Sequence, residues 1–454
     1  VLIALASVAG CDWTEFDDLS SNAPVRVAGT PQDLGEYSPA VTTLTSKDAT
    51  ARRGDVVGVA GAGVAPVVTL RVGSDGKTDR YAGGAPSWQP ELGRITSIVQ
   101  IPDQGQDPMV LLGAPEIDAV YAVVLDGSLR PEAASEEPVR PFPLTFGNRF
   151  GGTVAAGDLG PLADQGTLAW IATSDQAIHI QPSRTTDPGD WVQCEAELIC
   201  DPDTPCKDYH SPNRAIAVAR LFGIGPNDGR QSLAVGLPRP NGGSVRLIHF
   251  VGDVPLADLP TCDATGGFIN TTISPPAEAT DRFGSALLAF DLNGDGLDEL
   301  LVGDPGGGLV FVYSPTTRDA SGWRTASPIS TIEPADVASS ESFGSSLIDL
   351  DLDGDGAREL AVGDPDGAID GNQDGGRVHL FEVTLSGSTL TAEEIGTLTD
   401  HDSSEAKRVG IALSRLVPDQ SIWTEQTPVS EDLVAVSRSR IYVFTDTAEL
   451  IGFE

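Results

Sequence analysis

Basic residues are scarce in this 454-residue chain: 28 Lys and Arg stand against 66 Asp and Glu, a net charge of -38. That deficit argues against nucleic acid or an anionic lipid surface as partner, because both would repel the chain. No apolar run reaches the roughly 18 residues needed for a membrane-spanning helix. Aromatics make up only 6% of the residues, beside 51 Gly and 33 Pro, which points to many turns and few long helices. No G-x-S-x-G or H-E-x-x-H motif occurs. The five histidines (His179, His210, His249, His379, His401) are scattered. Three of them lie in or beside apolar runs, where strand-surface positions are expected. With no catalytic constellation, the chain is expected not to be an enzyme.

What is present begins with residues 1–11, "VLIALASVAGC", a short apolar segment ending in small residues and Cys11. Such a segment has the apolar stretch and small-residue cleavage site of a secretory signal. Its "VAGC" end resembles the lipobox of bacterial lipoproteins, which implies lipidation at Cys11, a polar linker over 12–22 and anchorage at the membrane surface. Secretion into an oxidising compartment makes Cys194, Cys200, Cys206 and Cys262 an even disulfide set with three possible connectivities. Zinc, with His210 nearby, is the weaker alternative because the close Cys pairs of zinc modules are missing.

A repeat runs through the rest. "ELLVGDP" (299–305) and "ELAVGDP" (359–365) match directly, while "MVLLGAP" (109–115) and "SLAVGLP" (232–238) share the frame. Weaker copies are "DVVGVAG" (55–61), "TLAWIAT" (167–173) and "DLVAVSR" (432–438). A landmark such as "RFGSALLAFDL" or "SFGSSLIDLDL" precedes each unit, and a third apolar run such as "GLVFVYS" follows. Short runs rich in Val, Ile, Leu and Phe between Gly, Pro and Asp read as strands. Three or four strands per unit, seven times over, predict an all-β chain forming a seven-bladed β-propeller. Its units fall near 37–92, 93–148, 149–212, 213–281, 282–341, 342–407 and 408–454, within a propeller spanning 23–454. Residues 183–212 form a Cys-rich insertion. Either "APVRVAG" (23–29) or "AELIGFE" (448–454) would close the ring.

Phe-Gly, then an acidic loop, then an apolar run ending in Gly-Ala-Pro resembles the FG-GAP repeat of integrin α-subunit propellers. Phe283-Gly284 and Phe343-Gly344 match the first element, and Gly113-Ala114-Pro115 matches the last; "GDP" at 303–305 and 363–365 departs by one residue. Between the elements lie Asp291, Asn293, Asp295, the Leu297 carbonyl and Glu299, and then Asp351, Asp353, Asp355, the Ala357 carbonyl and Glu359. Oxygen donors at alternate positions of a tight loop suit Ca²⁺, and Gly296 and Gly356 permit the turn. An EF-hand is excluded, since its twelfth-position Glu is replaced by Val302 or Val362 inside a predicted strand. Two Ca²⁺ sites with a structural role are therefore expected, the second the tighter because Asp353 stands where the first has Asn293.

The tripeptide Arg53-Gly54-Asp55 opens a predicted buried strand and reads as coincidence. The resemblance implies a cell-surface adhesion or ligand-binding module with a protein or glycan ligand, displayed on the face opposite the Ca²⁺ loops. Membrane contact would come only through the lipid anchor. An extracellular lyase or hydrolase and a structural envelope subunit are the alternatives.

Overall fold

A computed structural model describes residues 25–28, 41–44, 52–59, 67–73, 78–80, 95–101, 109–125, 138–139, 149–159, 168–175, 177–181, 192–194, 214–222, 231–239, 242–250, 268–280, 282–314, 318–319, 322–323, 327–336, 342–368, 375–399, 408–417, 430–437 and 441–444. These residues form seven four-stranded antiparallel sheets, a two-stranded ribbon (Arg318–Asp319 with Gly322–Trp323) and one 3-10 turn, Pro115–Ile117. Numbered along the chain, the sheets begin with Val41–Leu44, Ser97–Ile101, Val154–Asp158, Ile216–Ala219, Leu287–Phe290, Ser346–Leu350 and Ala412–Leu416. Each of these first strands touches the first strands of the two neighbouring sheets, and the seventh touches the first. A circle of first strands with sheets radiating from it is a β-propeller.

The burial pattern explains why the sequence reads as it does. First strands alternate, as in Ile216–Ala219 and Leu287–Phe290, because one face packs on a neighbour. Second strands such as Glu299–Asp304 and Glu359–Asp364 are buried throughout, being sandwiched between two sheets. Between the carboxylates at either end, a near-continuous apolar run suits such a position, at roughly 1.5–3 kcal/mol per buried aliphatic side chain. The cores lie at the joints. Ile101, Leu111 and Val120 of the second sheet pack with Phe150, Val154 and Trp170 of the third. Leu301 and Val312 of the fifth meet Leu360 and Phe381 of the sixth.

Glycine is required where these joints are tightest. A Cβ on Gly113, Gly236, Gly303 or Gly363 would stand 2.0–2.2 Å from the carbonyl oxygen of Gly151, Gly284, Gly344 or Gly410 in the following sheet. Those four partners adopt φ of +89° to +94°, which glycine reaches without penalty. The Gly of "Phe-Gly", or of Val409-Gly410 in the seventh sheet, thus nests against a Gly in the later half of the preceding sheet's second strand.

The ring is completed by the early chain. Val25–Ala28 pairs antiparallel with Ile441–Phe444, the third strand of the seventh sheet, in the register Val25↔Phe444. Residues 448–454, the rival closing segment, lie outside the described residues.

Candidate metal centre

Both acidic loops join the first strand of a sheet to its second, on the face away from the glycine contacts. In the loop after Leu287–Phe290, Asp291 folds the backbone around its own carboxylate. Its Oδ1 accepts from the N–H groups of Gly294 (2.8 Å) and Asp295 (3.1 Å), and its Oδ2 from Gly296 (2.8 Å). Asn293 Oδ1 accepts from Asp295 N at 2.8 Å, and Asp295 Oδ1 from Leu297 N at 2.8 Å. Glu299 opens the second strand fully buried and accepts from Leu292 N at 3.0 Å.

The second loop repeats the pattern. Asp351 accepts from Gly354 N (2.7 Å) and Gly356 N (3.1 Å), Asp353 from Asp355 N (3.0 Å), Asp355 from Ala357 N (2.7 Å), and Glu359 from Leu352 N (2.7 Å). The two loops part at their third position. One carboxylate oxygen each from Asp351, Asp353 and Glu359 lie within 4.8 Å of one another, a gathering that among the described residues occurs in this loop alone. In the first loop the Asn293 amide instead donates to Glu299 Oε1 at 3.3 Å.

In both loops the glutamate that opens the second strand is pushed toward its protonated form. Burial pushes Glu359 up to about 7, and the carboxylates of Asp353, Asp351 and Asp355 push the same way. Burial likewise pushes Glu299 to about 7, reinforced by Asp295 and Asp291. A divalent cation with hard oxygen preference fits this donor set.

Two features escaped the sequence. The histidines expected on strand surfaces are core residues: His179, His249 and His379 are 1–2% exposed, because third strands are also sandwiched between sheets. His179 and His379 meet the Phe-Gly phenylalanines edge-on, Phe150 at 4.9 Å and Phe343 at 5.2 Å.

The second feature is a reciprocal two-bond clamp across three joints. A residue at the end of a first strand (Asp158) or just after it (Arg220, Asp351) exchanges hydrogen bonds with the residue before the second strand of a neighbouring sheet. Gln231 N donates to Asp158 O (2.8 Å), and Asp158 N to Gln231 Oε1 (2.7 Å). Asp298 N donates to Arg220 O (3.0 Å), and Arg220 N to Asp298 Oδ2 (2.7 Å). Glu431 N donates to Asp351 O (2.7 Å), and Asp351 N to Glu431 Oε2 (3.1 Å). Partners from separate units have no local sequence signature.

Cys11, Cys200, Cys206 and Cys262 lie outside the described residues, as do most of 183–212; Cys194 ends the strand Val192–Cys194. Arg53-Gly54-Asp55 lies in the strand Arg52–Val59.

Residues 283–318, which carry the first loop, match the FG-GAP repeat. This stretch is an FG-GAP repeat. Its Phe283-Gly284 and Gly303 make glycine contacts at successive joints, so both halves of the motif serve the packing of one sheet on the next. The chain is also similar to phosphatidylinositol-glycan-specific phospholipase D. The human protein is 29% identical over 178 residues, 37% of this chain and 20% of the relative. The rat protein is 35% identical over 106 residues, 22% of this chain and 12% of the relative. The chain thus spans a fifth or less of the length of these curated relatives. Among solved structures, BBS1N in complex with ARL6DN is similar at 12% identity and a TM-score of 0.45, covering 93% of this chain and 96% of that one. No helix among the described residues is long and apolar enough to cross a membrane.

Proposed function

We propose that this FG-GAP-containing propeller is a calcium-stabilised, non-enzymatic module that binds a protein or glycan ligand at the cell surface, held there by a lipid on Cys11. The observation that carries the calcium part is the gathering of Asp351, Asp353 and Glu359 in a strand-to-strand loop. Asp351, Asp353, Asp355, Glu359 and the Ala357 carbonyl would hold one ion; Asp291, Asn293, Asp295, Glu299 and the Leu297 carbonyl would hold the other. Bound calcium supplies the positive charge that lets clustered carboxylates stay ionised in a folded loop, so its binding free energy adds to folding. Ligand binding by an FG-GAP propeller is supported by the repeat itself.

The test is a pull-down with residues 12–454, incubated in calcium with the source organism's envelope extract and surface glycans and eluted with chelator. An intact partner released by chelator supports the adhesion reading. Shortened glycan overturns it in favour of a carbohydrate-active enzyme. The relatives' name supplies a second enzymatic reading, supported by 29% identity over 178 residues. Release of a phosphatidylinositol-glycan-anchored protein into solution would establish it.

A further inference from the structure

We propose that Glu431, contributed by the seventh sheet, is a positioning residue of the second metal centre, so that this centre is completed across the joint between the sixth and seventh sheets. The proposal rests on the calcium reading above. Asp351 stands in two structures at once. Its N–H and C=O are both engaged by Glu431, while its carboxylate belongs to the gathered oxygens. The Asp351 carboxylate also holds Gly354 N and Gly356 N, so the shape of the loop depends on where its backbone sits. Fixing the first residue of a chelating loop lowers the ordering cost of closing it, as preorganisation does for any bound group.

Arg358 strengthens the arrangement. Its guanidinium lies 2.8 Å from Asp349 and 3.1 Å from Glu431, spanning from the sixth sheet's own first strand to the neighbouring sheet. Arg415 of the seventh sheet also pairs with Asp349. The clamp carboxylate is thus itself held by a partly buried cation, in a network where bond geometry is constrained from both sides.

The first loop is wired the other way. Its clamped residue is the eighth, Asp298, and the partner Arg220 belongs to the preceding sheet. Asp298 lies outside the donor positions at 291, 293, 295, 297 and 299, so this clamp fixes the exit of the loop rather than its first donor. The two centres therefore act on different joints: the second on the sixth–seventh, the first on the fourth–fifth.

Gln231 supplies a control from within the chain, since a neutral amide oxygen makes the same clamp to Asp158 N at 2.7 Å. Glu431→Gln should keep the clamp, and Glu431→Ala should lose it. The experiment is hydrogen exchange read by mass spectrometry on the full chain with calcium or chelator, paired with calorimetric calcium titration. In the wild type, calcium should slow exchange at 351–359 and also at 431–436. Glu431→Ala should weaken the second site about tenfold and remove the calcium response at 431–436, leaving 291–299 unchanged. Glu431→Gln should stay within about twofold of wild type. Wild-type protection confined to 351–359, or Glu431→Ala with wild-type affinity, overturns the role of Glu431 while the calcium reading stands. No calcium response at either loop overturns both. If Glu431→Ala does not fold, the wild-type exchange pattern decides alone.

Discussion

His179 and His379 occupy the same place in their sheets, opposite Ala172 and Val362 on the second strand, yet titrate in opposite directions. Burial drives His179 down to about 4, with Ser174 Oγ 3.1 Å from its Nε2. Burial would lower His379 too, but Asp364 and Glu394 outweigh it and hold the ring above its usual value. Its Nε2 is 3.6 Å from Asp364, and Nδ1 is 2.7 Å from Glu394. Ser174 stands where the sixth sheet has Asp364, one of the two carboxylates that act on His379. Ser174→Asp should lift His179 from about 4 toward neutrality in an NMR titration of the imidazole. A value left near 4 would contradict the comparison. The consequences for stability have opposite signs. An unfolded His179 takes up its proton near 6.5, so the native state loses stability as pH falls from there toward 4, by roughly 3 kcal/mol. Protonated His379 contributes stability below about 6.5, and that contribution fades as pH rises through its raised folded value. Replacing His179 by Gln should flatten only the acid limb of a denaturation-versus-pH curve.

At the scale of elements, the glycine contacts and the acidic loops make the sharpest predictions. Gly303→Ala places a methyl 2.1 Å from the Gly344 carbonyl oxygen, so the fifth and sixth sheets must separate. A loss of about 3 kcal/mol or more is expected in chemical denaturation. Gly387, at φ +64° with open space around it, is the control: its alanine variant suffers backbone strain alone, about 1 kcal/mol. Equal losses would mean that the close approach is immaterial. In the loops, Asn293→Asp supplies the carboxylate that the first site lacks at its third position and frees Glu299 from the amide. Calcium affinity of the first site should rise toward that of the second; equal affinities before the substitution would sink the ranking. Much of this was legible beforehand. Phe283-Gly284, Gly303 and the alternating oxygens of 291–299 announce themselves within one unit, because turn and ligand chemistry is local. The clamp partners Gln231, Asp298 and Glu431 do not, because each pairs with a residue 73 to 80 positions away. The burial of His179 and His379 was hidden for a related reason. A strand's polar residue looks surface-facing until a second sheet is known to cover it.

For the whole molecule, periodicity in the sequence pointed to radial sheets, and the structure shows how they meet. Among the described residues, contacts between the seventh and first sheets, and the pairing of Val25–Ala28 with Ile441–Phe444, turn a row into a ring. Neither was decidable from sequence, since "APVRVAG" and "AELIGFE" suit an edge strand equally well. A chain beginning at residue 29 should keep the other six sheets but expose the edge of Ile441–Phe444. It should melt several degrees lower in calorimetry and self-associate more readily in sedimentation, as an unpaired edge recruits another. An unchanged melting temperature would mean that closure comes from elsewhere.

That same pairing sets an order of events during synthesis. The strand Val25–Ala28 leaves the ribosome early, and its mate Ile441–Phe444 emerges some four hundred residues later. At about 5–20 residues per second, the interval is tens of seconds, during which the earliest strand has no place to go. Sheets two to six can assemble on their neighbours as they appear, whereas the seventh waits for both ends of the described chain. The last contact made is the longest in sequence, so it should be the slowest step of folding and the first lost under tension on the early strand.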